Sequence, residues 1–156
     1  MKVSNLLNRE MVLSDLKSQE RDGALREMVG FLKQKDRVGK EKELFEKLRQ
    51  REELGSTAIG NGVAIPHCKT NSIKEPLILL VISRAGVDFH APDGSLSQVF
   101  FLVVSPSENP SLNLQILAAV AHLVRKSEAL FQRILEAEDA ASIMNVLREE
   151  ENRINE

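Results

Sequence analysis

The sequence lacks most of the residues that mark specialised classes of protein. It has one cysteine, Cys68, among 156 residues, and it has no tryptophan and no tyrosine. One cysteine cannot form an internal disulfide and falls far short of a thiolate metal cluster, so a reducing compartment suits the chain. Because the six phenylalanines lie mainly in apolar runs, a base-stacking platform for nucleic acid is not expected either.

Excess charge and long apolar runs are also missing. The formal net charge is -2, which provides no electrostatic basis for binding DNA, RNA or an anionic membrane surface. No segment reaches the ~20 apolar residues that span a bilayer, and the first ten residues contain no apolar stretch of signal-peptide length. We therefore expect a cytoplasmic protein that is not membrane-embedded and binds no nucleic acid.

The remaining composition is that of a globular domain. Hydrophobic residues make up 42% of the chain and charged residues 28%, which is close to the average for folded domains. A chain of this length fits one domain and buries roughly 68–70% of its unfolded surface without a disulfide or a metal. We therefore treat residues 1–156 as a single domain.

Two helices are expected in the first third of the chain. The first begins near Asp22, which can act as its N-cap. The second runs from about Lys40 to Leu54 and ends before Gly55, and residues 35–39 connect the two. The residues at helical spacing that should face inward are Leu25, Met28, Val29 and Leu32 in the first helix and Leu44, Phe45 and Leu48 in the second.

Short apolar runs bounded by Pro or Gly predict strands at residues 63–65, 77–82 and 99–104. A shorter strand is expected at Val12-Leu13. The second and third runs are nearly continuous in hydrophobicity, which is typical of strands covered on both faces. Because helices precede and follow these strands, we predict a three-layer α/β domain with the sheet in the middle.

Three helices are expected after the last strand. They cover about residues 112–125, residues 128–135, and a segment from an Asp139 N-cap to about Glu150. The charged residues 148–153 are expected to form a solvated, fraying helix end. The residues of the first of these helices that should be buried are Leu114, Leu117, Ala118, Ala121 and Val124.

A glycine-rich segment, residues 54–62, holds three of the eight glycines. Such a loop can direct backbone N–H groups toward an anion, because glycine adopts positive φ without steric cost. However, Asn61-Gly62 stands where a P-loop needs Lys followed by Ser or Thr. The segment also precedes a strand, whereas a dinucleotide fingerprint follows one. The sequence therefore does not favour nucleotide binding.

The glycine-rich segment leads into a short strand that ends at Pro66-His67. Proline lacks an N–H and fixes φ, so it ends the ladder and sets the direction in which the next side chain leaves the sheet. An imidazole at such a strand end can be both accessible and nucleophilic near neutral pH. A surface histidine without a function would fit the same pattern.

The other candidates for chemistry are Cys68, His90 and His122. Neighbouring residues in an extended segment point to opposite sides, so His67 and Cys68 are poorly placed as a base and a nucleophile. A buried, inert thiol is expected instead. His90 lies beside a turn and His122 on the surface or rim of a helix, so neither contributes unless folding brings it near His67.

Four segments occur together in one order and spacing: Arg51-Glu52-Glu53-Leu54-Gly55-Ser56-Thr57, Gly60-Asn61-Gly62-Val63-Ala64-Ile65-Pro66-His67, Gly86-Val87-Asp88-Phe89 and Asp93-Gly94. They resemble the enzyme IIA domains of the fructose, mannitol and nitrogen-regulatory type of the bacterial phosphoenolpyruvate phosphotransferase system. The chain is most similar to the stand-alone nitrogen-regulatory form. The resemblance covers about residues 6–149 and implies a mixed sheet flanked by helices on both faces.

The resemblance implies that His67 accepts a phosphoryl group from phosphorylated HPr or its nitrogen-branch counterpart. It also implies that Arg51 contacts the phosphoryl oxygens, although a solvated arginine at a helix end would fit the sequence as well. Thr57 is expected either to donate a hydroxyl hydrogen bond to the same group or to cap the loop. No metal and no organic cofactor are implied, because transfer between two imidazoles depends on positioning and on donors that meet the transferred charge.

Asn113 departs from the family pattern, in which a second histidine often stands at this position. Asparagine can donate a hydrogen bond but cannot carry a positive charge. We therefore expect phosphoryl uptake at His67 that is slow or serves as a signal. Three functions stay open: regulation of a target protein by phosphorylation state, sugar transport with transfer to an enzyme IIB, and a degenerate binding module that is not phosphorylated.

Overall fold

The centre of the fold is a six-stranded β-sheet, seen in a computed structural model that describes residues 1–155. The strands are β1 (Val12–Leu13), β2 (Ala58–Gly60), β3 (Val63–Ala64), β4 (His67–Thr70), β5 (Leu77–Val87) and β6 (Ser97–Pro106). The longest pair is β5 with β6, which run antiparallel with Leu77 opposite Val104 and Val87 opposite Ser97. These two strands correspond to the two longest apolar runs of the sequence.

The strands of the sheet run in both directions. β1 is parallel to β5, while β3 and β4 are both parallel to β6 along its other edge. β2 pairs antiparallel with β3, which gives the order β1-β5-β6-β3-β2 with β4 beside β6. The mixed sheet that was predicted is therefore confirmed.

Over residues 1–155, five α-helices and two 3-10 turns complete the fold: α1 (Arg21–Gln34), α2 (Glu41–Glu53), α3 (Pro110–Lys126), α4 (Leu130–Glu136), α5 (Ala140–Ile154), and the turns Val3–Leu6 and Arg9–Met11. α1 packs on α2 and β5, whereas α3 packs on β6 and α4 packs on α5. Every residue of 77–82 and 99–104 is buried, so both faces of the sheet are covered, as in the predicted three-layer α/β architecture. None of the helices in the described part of the chain is long and apolar enough to cross a bilayer.

The first two helices bury the residues that their periodicity predicted. Leu25, Met28, Val29, Leu32, Leu44, Phe45 and Leu48 are all buried. However, Asp22 is not the N-cap of α1. The helix begins at Arg21, Glu20 occupies the cap position, and the Asp22 carboxylate pairs with Arg21 inside the first turn. An acidic side chain there still favours the helix, because it lies near the positive end of the helix dipole.

α3 buries a different face from the one predicted. Its buried residues are Asn113, Ile116, Val120 and Leu123, while Leu114 is 67% exposed. The prediction is thus wrong by one position, because α3 is apolar around much of its circumference and its periodicity does not single out one stripe. A polar contact accompanies the observed face: the buried Ser105 of β6 donates its hydroxyl hydrogen bond to Oδ1 of Asn113 at 3.0 Å.

The prediction of a fraying helix end at residues 148–153 is also wrong. α5 remains helical through this stretch, and the side chains of Glu150 and Glu151 are buried. Glu151 accepts hydrogen bonds from the backbone N–H groups of Val3 and Ser4 and from the Ser4 hydroxyl. The donors to Glu150 are Ser127, Arg133 and Arg153. Most of these donors lie far away in the sequence, so the run of charges alone did not reveal them.

Candidate active site

His67 begins a strand, whereas the sequence placed it at the end of one. β3 ends at Ala64, Pro66 interrupts the ladder, and β4 resumes it with His67 opposite Val103 of β6. The Pro66 carbonyl still accepts a hydrogen bond from the Val103 N–H at 2.9 Å, which keeps the chain alongside β6. β4 was not predicted because only one of its four residues is apolar.

Alternate residues of β4 face in opposite directions. His67 is half-buried and Lys69 is exposed, whereas Cys68 and Thr70 are buried. A groove of about 430 Å³ lies beside the strand, lined by Lys47, Gln50, Arg51, Leu54, His67, Cys68, Lys69 and Asn113. The four lining residues from residue 47 to residue 54 recur at helical spacing, so one face of α2 and its C-cap forms a wall of the groove.

The backbone fixes the protonation of the His67 ring. Nδ1 lies 2.7 Å from the carbonyl oxygen of Ile65. Because a carbonyl can only accept a hydrogen bond, Nδ1 carries the hydrogen and Nε2 keeps its lone pair. Burial lowers the pKa of His67, and the charges of Arg51 and Lys69 lower it further, against the opposing effect of the Ile65 hydrogen bond. At neutral pH the ring is therefore a neutral imidazole with a nucleophilic Nε2.

Cationic side chains surround this ring. Lys47 and Arg51 reach the groove from α2, and Lys69 reaches it from β4. Arg51 donates one hydrogen bond from Nη1 to the Gly55 carbonyl at 2.8 Å, which holds its guanidinium at the C-terminal end of α2. A guanidinium has five N–H donors, so most of them are left for an anion. The groove therefore combines a neutral nucleophile with positive charge.

Asn113 lines the same groove from α3. Its side chain is 6% exposed, and its Oδ1 accepts the hydrogen bond from Ser105. With the oxygen engaged in this way, the amide Nδ2 is the atom that Asn113 can offer to a bound group. From α3, the groove is thus met by an uncharged donor.

Thr57 does not reach the groove. It is buried, and it donates its N–H to Oε1 of Glu52 at 2.9 Å and its hydroxyl to Oε2 of Glu52 at 2.5 Å. A hydroxyl has one hydrogen, so this one is not available to a second acceptor. Of the two roles considered for Thr57, the geometry matches the loop cap.

The glycine-rich segment does bind anions, but they are carboxylates of the protein itself. The Asn61 N–H donates to Oδ2 of Asp93 at 2.9 Å, just as the Thr57 N–H donates to Glu52. Gly60 has a φ of +91°, and a Cβ added there would lie 2.8 Å from the Asp93 carboxylate. Glycine therefore permits both the backbone conformation and the close approach of Asp93. These N–H groups stabilise the loop before β3 and are not exposed to an external anion.

Residues 5–150 match the family described as the phosphoenolpyruvate-dependent sugar phosphotransferase system, EIIA 2. The chain belongs to this family. A nitrogen regulatory protein of Bradyrhizobium diazoefficiens is 33% identical over 147 residues, which are 94% of this chain and 95% of that protein.

A longer relative matches only in part. The fructose-specific EIIABC component of the phosphotransferase system from Bacillus subtilis is 28% identical over 149 residues. The match covers 96% of this chain, but the chain spans only 23% of the length of that protein. The EIIA 2 chain therefore corresponds to one part of that relative.

Two solved structures share the EIIA 2 fold. The crystal structure of the nitrogen regulatory protein IIA-Ntr from Neisseria meningitidis has a TM-score of 0.83 and 24% identity, over 93% of this chain and 98% of that one. The complex of enzyme IIAMTL and phosphorylated enzyme IIBMTL from Escherichia coli has a TM-score of 0.76 and 16% identity, over 92% of this chain and 97% of that one. The fold that the sequence resemblance implied is therefore confirmed.

Cys68, His90 and His122 do not provide a second reactive group beside His67 in this EIIA 2 chain. Burial raises the pKa of the Cys68 thiol to about 12, so thiolate is scarce at neutral pH although the residue borders the groove. His90 and His122 are exposed and do not line the groove. Over residues 1–155, no cluster of His, Cys, Asp and Glu has the arrangement of a metal site.

Sequence reasoning missed several residues of the EIIA 2 groove. Lys47 precedes Arg51 by one helical turn, and Lys69 follows His67 by two residues in an extended segment, so their spacing was a usable signal. Glu52, which is buried and does not line the groove, had no such signal, because it belongs to a run of charged residues typical of a solvated helix end.

Proposed function

We propose that this chain accepts a phosphoryl group on Nε2 of His67 from phosphorylated HPr or its nitrogen-branch counterpart, and that it acts as a regulator controlled by its phosphorylation state. The observation that carries the proposal is a neutral imidazole, its Nδ1–H bound to Ile65, in a groove with Lys47, Arg51 and Lys69. Such a transfer takes place in the cytoplasm, where we place the protein.

The groove suits this transfer. The Nε2 lone pair forms the new N–P bond while the N–P bond of the donor histidine breaks, and the donor ring keeps the electron pair. His67 retains its Nδ1 hydrogen, so the charge of the phosphorylated ring is met by the Ile65 carbonyl. The phosphoryl oxygens are met by Arg51, Lys47 and Lys69. Phosphoryl transfer depends mainly on such positioning and electrostatic stabilisation.

Regulation is supported by the change in charge at this surface. Phosphorylation adds about -1.5 to -2 charge, which offsets much of the positive charge contributed by the side chains around His67. Leu54, at the rim of the groove, is 85% exposed, and an exposed apolar side chain beside a charged site suits contact with another protein. Asn113 adds no charge for onward transfer, and the similarity to a nitrogen regulatory protein over nearly the whole chain favours the same function.

The test is reconstitution with phosphoenolpyruvate, enzyme I and HPr, followed by mass spectrometry of the intact chain. An acid-labile adduct of about 80 Da, the mass of one phosphoryl group, is expected in the wild type and in the surface variant His122→Ala, and it should be absent from His67→Ala. An adduct that survives in His67→Ala would refute the assignment. A wild type without an adduct would favour a degenerate module.

A second measurement separates regulation from transport. The phosphorylated chain is mixed with an enzyme IIB of the fructose or mannitol type, and the loss of the adduct is followed over time. We expect the adduct to persist. Rapid, stoichiometric transfer to the enzyme IIB would instead support a role in sugar transport.

A further inference from the structure

Glu52 is a buried carboxylate in the last turn of α2, next in sequence to Arg51. Its side chain is 3% exposed and does not line the groove. Within the described residues it forms no ion pair, and both of its hydrogen bonds come from Thr57. Burying a carboxylate without a cationic partner costs free energy. A role beyond stability would explain a carboxylate at this place.

A chain of hydrogen bonds leads from Glu52 to His67. Glu52 binds the N–H and the hydroxyl of Thr57. The Thr57 carbonyl accepts a hydrogen bond from the Ile65 N–H at 3.0 Å. The Ile65 carbonyl in turn accepts the Nδ1–H of His67 at 2.7 Å. Each link passes through the backbone of one residue, so the position of Thr57 determines that of Ile65, and the position of Ile65 determines the orientation of the ring.

This series of hydrogen bonds matters because neutral histidine has two tautomers. With the hydrogen on Nδ1, Nε2 has a free lone pair; with the hydrogen on Nε2, the nitrogen that is to accept the phosphoryl group has none. The Ile65 carbonyl selects the first tautomer. Pro66, between Ile65 and His67, has a fixed φ and further restricts the direction of this carbonyl.

We propose that Glu52 is a positioning residue for His67. It fixes Thr57, and through Ile65 it holds the imidazole in the Nδ1–H form that leaves Nε2 free. Glu52 itself contacts neither the ring nor the phosphoryl group. The chemical purpose of this arrangement rests on the proposed function, whereas the arrangement itself can be measured on the unphosphorylated protein.

The first test is ¹⁵N NMR of the His67 imidazole in the full, unphosphorylated chain. The wild type should show a protonated Nδ1 and an unprotonated Nε2. Glu52→Gln should move the two nitrogen signals toward each other, because the two Thr57 donors bind different oxygens of Glu52 and the amide replaces one of these oxygens with an NH2 group that cannot accept. Glu53→Gln is the matched control, because it removes the same charge from the neighbouring residue. Glu53 is exposed and takes no part in the series of hydrogen bonds from Glu52 to His67, so the signals should stay unchanged.

A second pair of variants addresses the next link and covers the case in which Glu52→Gln does not fold. Thr57→Ser keeps both donors to Glu52 and should retain the wild-type signals. Thr57→Val keeps the N–H but loses the hydroxyl, and should shift the signals in the direction of Glu52→Gln. If Glu52→Gln or Thr57→Val folds and gives the same two His67 nitrogen signals as Glu53→Gln, the positioning role of Glu52 is wrong.

The consequence for chemistry is measured as the initial rate of phosphoryl uptake from HPr. We expect the rate to fall about threefold to tenfold in Glu52→Gln and Thr57→Val, and to change little in Thr57→Ser and Glu53→Gln. A slower rate without a change in the ring signals would overturn the positioning role. A wild type that takes up no phosphoryl group would overturn the proposed function, and the NMR comparison would still decide the role of Glu52.

Discussion

Two buried glutamates, Glu52 beside the groove and Glu150 in α5, have similar burial but opposite electrostatics. They are 3% and 1% exposed. At Glu52, burial raises the pKa more than the hydrogen bonds from Thr57 lower it. Burial would also raise the pKa of Glu150, but hydrogen bonds from Arg153, Ser127 and Arg133 outweigh it and bring the pKa to about 2.

The difference shows what each region requires. Glu150 receives donors from the segment before α4, from α4 itself and from α5, so a charged carboxylate stabilises the packing of these helices. Glu52 has Arg51 next to it in sequence, yet the Arg51 guanidinium binds the Gly55 carbonyl and lines the groove. An ion pair with Glu52 would remove that cation from the site. In this arrangement Glu52 stays without an ion pair, and the Arg51 guanidinium stays at the groove.

The largest effect is expected in the α5 region from Glu151→Ala. This change leaves the buried Val3 N–H and the two donors of Ser4 without an acceptor, so the free energy of unfolding should fall by about 3 kcal/mol. Urea denaturation measures the loss. Glu149→Ala, at an exposed position of the same helix, removes only the surface ion pair with the partly exposed Arg133 and should lower the free energy of unfolding by less than about 1 kcal/mol. Equal effects of the two substitutions would show that the N-terminal contact contributes nothing.

Glu150→Gln should cost less, about 2 kcal/mol at pH 7, because the arginine partners are partly exposed and can be hydrated. The sign of the pH dependence follows from a folded-state pKa of about 2, below the ordinary 4.5. The wild type has the full contribution above about pH 4.5 and loses it as the pH falls toward 2. The stability difference between the two proteins should therefore shrink over this interval, and a constant difference would contradict the assignment.

Glu52→Gln should change stability by no more than about 1 kcal/mol at pH 7, because the lost hydrogen bond is offset by the removal of a buried charge. Its pH dependence has the opposite sign. Since the folded-state pKa of Glu52 is raised above 4.5, its ionisation costs stability at neutral pH, and acidification toward pH 4.5 relieves that cost. The wild type should gain stability relative to Glu52→Gln as the pH falls from 7 toward 4.5. The opposite trend in urea denaturation would remove the contrast with Glu150.

The contrast also explains how far the sequence could predict this protein. The inward faces of α1 and α2 and the strands β5 and β6 were predicted because helical periodicity and continuous apolar runs are local signals. His67 was predicted from its segment and its family resemblance. The buried glutamates were not predicted, because Glu151 meets Val3 only after folding. The orientation of α3 was missed for the same reason, since the Ser105–Asn113 contact joins residues of different elements.

The smallest effect is expected from Cys68→Ala, on phosphoryl uptake. Cys68 is a third buried ionisable residue, and its thiol has no hydrogen-bond partner among the described residues. Burial raises the pKa of its thiol to about 12, against the smaller opposing effect of the Lys47 charge. Alkylation by iodoacetamide at pH 8 should therefore be slow in the folded protein and fast after denaturation. Cys68→Ala should leave phosphoryl uptake at His67 within about twofold of the wild type, because a neutral thiol takes no part in the transfer. Rapid alkylation of the folded chain would mean that a thiolate lies in the groove, and His67 would no longer be its sole nucleophile.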